Sequence, residues 1–113
     1  GHMTTLLVMY VFCGLLLIVL AIPMLRGKVP PNPWYGFRVP STLSDPTRWY
    51  KANRYAGRWL LLTSIITVAA AVALYFVPGL SVDTYAWLVL AVFGVPFVLM
   101  IISSFRYLRR LPR

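Results

Sequence analysis

The chain has 113 residues, room for one domain. Hydrophobic residues make up 60% of it and charged residues 12%, against about a quarter charged in a soluble domain, so lipid rather than water is the natural cover for this surface. Eleven Lys/Arg stand against Asp45 and Asp83 with no Glu; the hydrophobicity assigns this basic excess to an anionic membrane surface instead of nucleic acid.

Gly1-His2 ahead of Met3 reads as the remnant of a cleaved tag, and setting it aside removes the only histidine. Residues from about 4 to 25 form the first apolar run, with no charged residue. A signal peptide would carry a basic start, a shorter apolar run and a small-residue cleavage site, so this run is expected to be a retained span. Pro23 should bend its exit. Cys13, the only cysteine, is expected to be a packed small residue; it rules out an internal disulfide and a Cys/His metal site.

The connector, residues 26–58, is far longer than a helix connection requires. Its first part, Pro30-Pro31-Asn32-Pro33-Trp34-Tyr35-Gly36-Phe37-Arg38-Val39-Pro40, is too rich in proline for a helix and should take an extended or turned path. Gly36 should supply a φ that other residues resist. Ser44-Asp45-Pro46 then gives a capping side chain followed by Pro at the first helical position. From Pro46 onward, Arg48, Lys51, Arg54, Tyr55 and Arg58 share one face, and Trp49, Asn53, Ala56 and Leu60 another. This is an amphipathic basic helix. It either lies in the headgroup layer and bends at Gly57 into the second span, or continues that span as one helix.

The second and third apolar runs cover about 59–77 and 84–105, so the three runs are about 19–22 residues each, the length that crosses a bilayer core. Pro78-Gly79 marks a turn between them, and Ser81 or Asp83 can cap the third helix. Pro96 should kink it. The expected fold is therefore all-α and integral to the membrane: three transmembrane helices in one domain, with an amphipathic cytoplasmic helix preceding the second.

All the cations lie in the connector or after the third run, which three crossings put on one side. That side should be cytoplasmic, with the N-terminus outside and the C-terminus inside. Arg48, Lys51, Arg58, Arg106, Arg109 and Arg110 are expected at the membrane surface, attracting anionic lipid.

Catalysis has little to work with. Asp45 is the only connector carboxylate and its position suits a cap; no cofactor or metal constellation is present, and no enzymatic role is expected. Thr63 and Thr67, one turn apart, can bond across helices or back to their own helix. Two roles stand open for Arg38 and Asn53: holding the 30–43 segment against the helix from Pro46, or binding a ligand.

The run Asn32-Pro33-Trp34-Tyr35-Gly36-Phe37-Arg38-Val39-Pro40-Ser41-Thr42-Leu43, followed by Trp49-Tyr50-Lys51-Ala52-Asn53-Arg54-Tyr55-Ala56-Gly57, resembles the SdpI/YfhL family of bacterial membrane proteins. The family pattern is met at Asn32, Gly36, Phe37, Arg38, Pro40, Thr42, Leu43, Trp49, Asn53, Arg54 and Gly57; Val39 stands where Thr is expected and Ser41 where an aromatic is common. The resemblance implies a three-span family unit in the bacterial cytoplasmic membrane. It also implies a role in peptide-toxin immunity or signalling through a peptide or protein partner, as for the family's namesake, which has further spans. The residues expected to bind a ligand or partner are Asn32, Trp34, Gly36, Phe37, Arg38, Pro40, Thr42, Trp49, Asn53 and Arg54. Alternatives are a subunit of an envelope complex that binds anionic lipid or phosphate headgroups, and an oligomeric transporter, for which three helices would need to self-associate.

Overall fold

A computed structural model describes residues 1–112, so Arg113 lies outside the described residues. Four helices follow one another: α1 (His2–Leu25), the single-turn α2 (Pro40–Leu43), α3 (Pro46–Tyr75) and α4 (Val82–Arg110). α1, α3 and α4 are each long and apolar enough to cross a membrane. Together they make an elongated body of 53 × 22 × 19 Å.

α3 is the central element. It packs along both α1 and α4, which meet each other only sparsely. Alanines and hydroxyl residues line its packed faces: Ala52, Ala56, Thr63, Ser64, Thr67 and Ala71 are buried. Such small side chains let helix backbones approach where lipid removes the usual hydrophobic drive. The large apolar side chains point the other way. Phe12, Val19, Leu62, Trp87 and Val95 are all more than half exposed, as expected of helices whose outer solvent is hydrocarbon. Cys13 is among the exposed residues, so it is a surface position on α1 and not the packed residue expected from the sequence.

Residues 46–58 are not a separate amphipathic helix. They are the opening turns of α3, which runs unbroken from Pro46 to Tyr75. The helix continues through Gly57, whose role is close approach. A Cβ there would sit 2.9 Å from both the Leu25 amide nitrogen and the Met24 Cβ, so the bare glycine lets the end of α1 lie against α3.

The helix ends follow local rules. Asp45 caps α3, its Oδ1 accepting from the Thr47 N–H at 2.9 Å, and Pro46 begins the helix. Ser81, and not Asp83, caps α4 by accepting from the Thr84 N–H at 3.1 Å. α1 ends after Pro23 in a Schellman turn: Gly27, at φ +68°, donates to the Met24 carbonyl and Lys28 to the Pro23 carbonyl. Pro96 lies within α4, which remains one helix.

Two clusters hold the ends of the bundle. At one end, Tyr85 is fully buried with Ala71 and Val89 against the start of α1. Its hydroxyl donates to the Ala71 carbonyl at 2.7 Å, and Tyr10 of α1 donates to the Ala86 carbonyl of α4 at 2.9 Å. At the opposite end, Met24, Val29, Trp49 and Ala56 form a second core beneath the connector. The cations of the connector and of the last turns of α4 gather at this basic end.

Candidate functional site

The connector is a folded clasp, built outward from a few side chains of its own and of α3. Asn32 starts it. Its Oδ1 accepts from the N–H groups of Trp34 and Tyr35 at 2.8 and 2.9 Å, and its Nδ2 donates to the Pro30 carbonyl at 2.7 Å. A proline-rich stretch has few amides to pair, and an Asn side chain substitutes for the missing backbone ladder.

Phe37 is the centre of the clasp. Its N–H donates to Asn53 Oδ1 at 2.6 Å, and its carbonyl accepts from the Thr42 hydroxyl at 2.8 Å. Thr42 also accepts from the Val39 N–H at 3.0 Å, closing the turn that starts α2. Asn53 in turn donates to the Trp49 carbonyl one turn back at 2.9 Å. Asn53 and Thr42 are fully buried, so these bonds are made where water does not compete. Gly36 stands at φ +116°, and a Cβ there would lie 2.7 Å from Asn53 Oδ1. Only glycine satisfies both the backbone and the space. Trp49, with no exposed surface, anchors the near end by donating from its indole N–H to the Val29 carbonyl at 2.8 Å.

The residues expected as a ligand or partner site thus separate into two groups. Asn32, Gly36, Phe37, Thr42, Trp49 and Asn53 build the clasp, with the last three buried. For Asn53 this is the holding role that the sequence left open. Trp34, Arg38, Pro40 and Arg54 stand exposed on its outside, with Trp34 at 84% exposure. The Arg54 guanidinium lies over Gly27, where a Cβ would come within 2.6 Å of it. A cation there complements the carbonyl end of α1.

Arg48 departs from the expected membrane-surface role. It is buried, and its guanidinium makes five hydrogen bonds: two to Ser41 Oγ (2.7 and 3.0 Å) and three to the carbonyls of Leu108, Leu111 and Pro112 (2.9–3.2 Å). All five N–H groups are used, leaving none for a lipid phosphate. The residue closes the carbonyl end of α4 and ties α2 to it. In sequence, Arg48 falls on the same helix face as Lys51, Arg54 and Arg58, and nothing there marks it as buried. Lys51, Arg58, Arg106, Arg109 and Arg110 are exposed.

Beneath the clasp, where α1 and α4 part, lies an apolar cavity of about 340 Å³. Leu17 and Leu20 of α1 face Phe97 and Met100 of α4 across it, and Tyr35 and Phe37 roof it. The Phe37 ring meets Phe105 of α4 edge-on, with centroids 5.0 Å apart. This cavity depends on how α1 and α4 diverge, and no local sequence pattern announces it. Of the span hydroxyls, Ser64 and Thr67 bond the carbonyls of Leu60 and Thr63 on their own helix, whereas those of Thr63 and Ser104 are buried without a partner.

The clasp lies within the region that the comparison with protein families recognises. The SdpI/YfhL protein family model matches residues 28–104, from the connector through most of α4. The chain belongs to the SdpI/YfhL family. Three apolar helices and this membership make it a membrane protein of that family. Nothing matches the chain among curated proteins or solved structures. In this SdpI/YfhL member the matched region contains every clasp residue, whereas the α1 wall of the cavity lies outside it.

Proposed function

We propose that this SdpI/YfhL member is a non-catalytic recognition protein of the bacterial cytoplasmic membrane, acting in peptide-toxin immunity or membrane signalling. The observation that carries this is the way polar capacity is spent. Asn32, Thr42, Asn53 and Arg48 use their donors and acceptors on the protein's own backbone and on Ser41. What remains displayed is a stiff loop presenting Trp34 and Arg38. An exposed Trp and an exposed Arg on one preorganised loop have the composition of a recognition hot spot, since little entropy is lost when a partner settles on it.

The charge distribution supports a cytoplasmic position for this loop, with the N-terminus and the 78–81 turn outside. A peptide acting within the bilayer or a cytoplasmic protein partner then has access to it. The test is survival of cells lacking the protein when challenged with secreted peptides of the same bacterium, complemented by wild type or Trp34→Ala. Trp34 is outside both cores, so its loss leaves the fold intact. Protection by wild type and its loss in Trp34→Ala are expected. No protection by wild type, with no partner cross-linked to the loop, would remove the proposal.

A further inference from the structure

The first charges beyond the three apolar runs share one level. Arg26, Arg58 and Arg106 are all exposed. Gly57 abuts Leu25 and Met24, which sets Arg58 beside Arg26. The Tyr55 and Tyr107 rings stack 4.4 Å apart, which sets Arg106 within about a turn of Arg58. Charge is costly in hydrocarbon, so this level marks the edge of the bilayer core. The inner edge of the clasp lies there too. Tyr35 and Phe37 line the apolar cavity with Met24, Ala56 and Leu60, and the Phe37 ring meets that of Phe105, the residue before Arg106. Trp34 adjoins Tyr35, follows Pro33, is fixed by its N–H bond to Asn32 Oδ1 at 2.8 Å, and stands 84% exposed. A second indole, Trp87 at 70% exposure, lies eighteen residues before Phe105 on α4. Eighteen residues of helix rise about 27 Å, close to the roughly 30 Å of a hydrocarbon core.

We propose that the inner edge of the clasp is seated in the headgroup layer, with the Trp34 indole at the boundary between headgroups and acyl chains. The partner of this exposed aromatic surface is the lipid interface. An indole has an apolar body and one N–H donor, which suits a zone that is hydrocarbon on one side and hydrated on the other. Depth selects this partner over bulk water: the headgroup layer is roughly 5–8 Å thick, and Tyr35, next in the chain, reaches Leu60 inside the second apolar run. By contrast, Pro46 lies twelve residues before Arg58 on α3, about 18 Å further out and clear of that layer. The clasp is thus moored at one edge and wet at the other. Lipid alone suffices for this seating, so its absence in vesicles would leave the recognition role standing.

The experiment is tryptophan fluorescence of the full chain in phosphatidylcholine vesicles. Trp59→Phe/Trp87→Phe leaves Trp34 and the fully buried Trp49, and the same chain with Trp34→Phe supplies the Trp49 signal to subtract. The Trp34 emission is expected to be blue-shifted from that of tryptophan in water and to lose most of its quenching by acrylamide. It should be quenched more by phosphatidylcholine brominated near the carbonyl end of its chains than by lipid brominated near the methyl end. Wild type gives a second readout that needs no substitution: phosphatidylcholine carrying a photoreactive group near the head of its chain should label residues 33–38 more than a water-borne carbene reagent does. Full quenching by acrylamide with none by either brominated lipid would put Trp34 in water and overturn the proposal. Stronger quenching from the methyl end, or labelling of 33–38 mainly by the water-borne reagent, would overturn it as well.

Discussion

Replacing Asn53 by Ala should open the clasp while leaving the three long helices in place. The substitution removes the acceptor of the Phe37 N–H and the donor to the Trp49 carbonyl. Leaving a buried donor unpaired costs about 1–3 kcal/mol and a lost hydrogen bond about 0.5–1.5 kcal/mol; because Phe37 is only partly buried, a total of about 2–3 kcal/mol is appropriate. That energy falls on local opening of the loop more than on the bundle. Arg38 follows Phe37 directly and is exposed, so limited trypsin digestion reads the opening as cleavage after Arg38. If cleavage follows the open population, 2 kcal/mol accelerates it roughly 30-fold. A rate after Arg38 indistinguishable from wild type would show that Asn53 does not hold the loop.

Gly57→Ala should lower bundle stability by about 1–3 kcal/mol, because the new methyl meets the Leu25 and Met24 backbone region. Gly94→Ala, with open space around its Cα, should be neutral or gain up to about 1 kcal/mol; denaturation midpoints of the pair in one detergent check both. Arg48→Met should free the last turn of α4, so that amide exchange at Leu108–Leu111 rises at least about 10-fold. Arg48→Lys should recover only part of the protection, because an ammonium cannot reproduce the five-donor fork.

Much of this fold was legible in the sequence because its signals are local. Three uncharged runs of bilayer length, the Asp45-Pro46 start and the Pro78-Gly79 turn each became the expected helix, cap or turn. Gly36 and Asn53 were legible for the same reason: a glycine in a crowded turn and an amide on an apolar helix face each demand a specific surrounding. Arg48 was misjudged because a helical wheel places a residue on a face without knowing what stands opposite, and α4 supplies carbonyls sixty or more positions away. Whether residues 46–58 lie flat as a separate helix or continue the second span was undetermined because both use the same periodicity; the unbroken course of α3 from Pro46 to Tyr75 decides for continuity. The cavity was invisible since it arises from the separation of two elements and from no residue pattern.

The Arg48 fork also sets an order of assembly. Arg48 is made early, at the start of α3, whereas its carbonyl acceptors lie in the final turn of α4 and the two residues after it. During synthesis the guanidinium and Ser41 must wait, hydrated, until α4 has left the ribosome. The Arg48 fork is therefore the last of these contacts to close, after the bonds among residues 29–53 that build the clasp, and a chain truncated before Leu108 would retain its spans yet lack the acceptors of that fork.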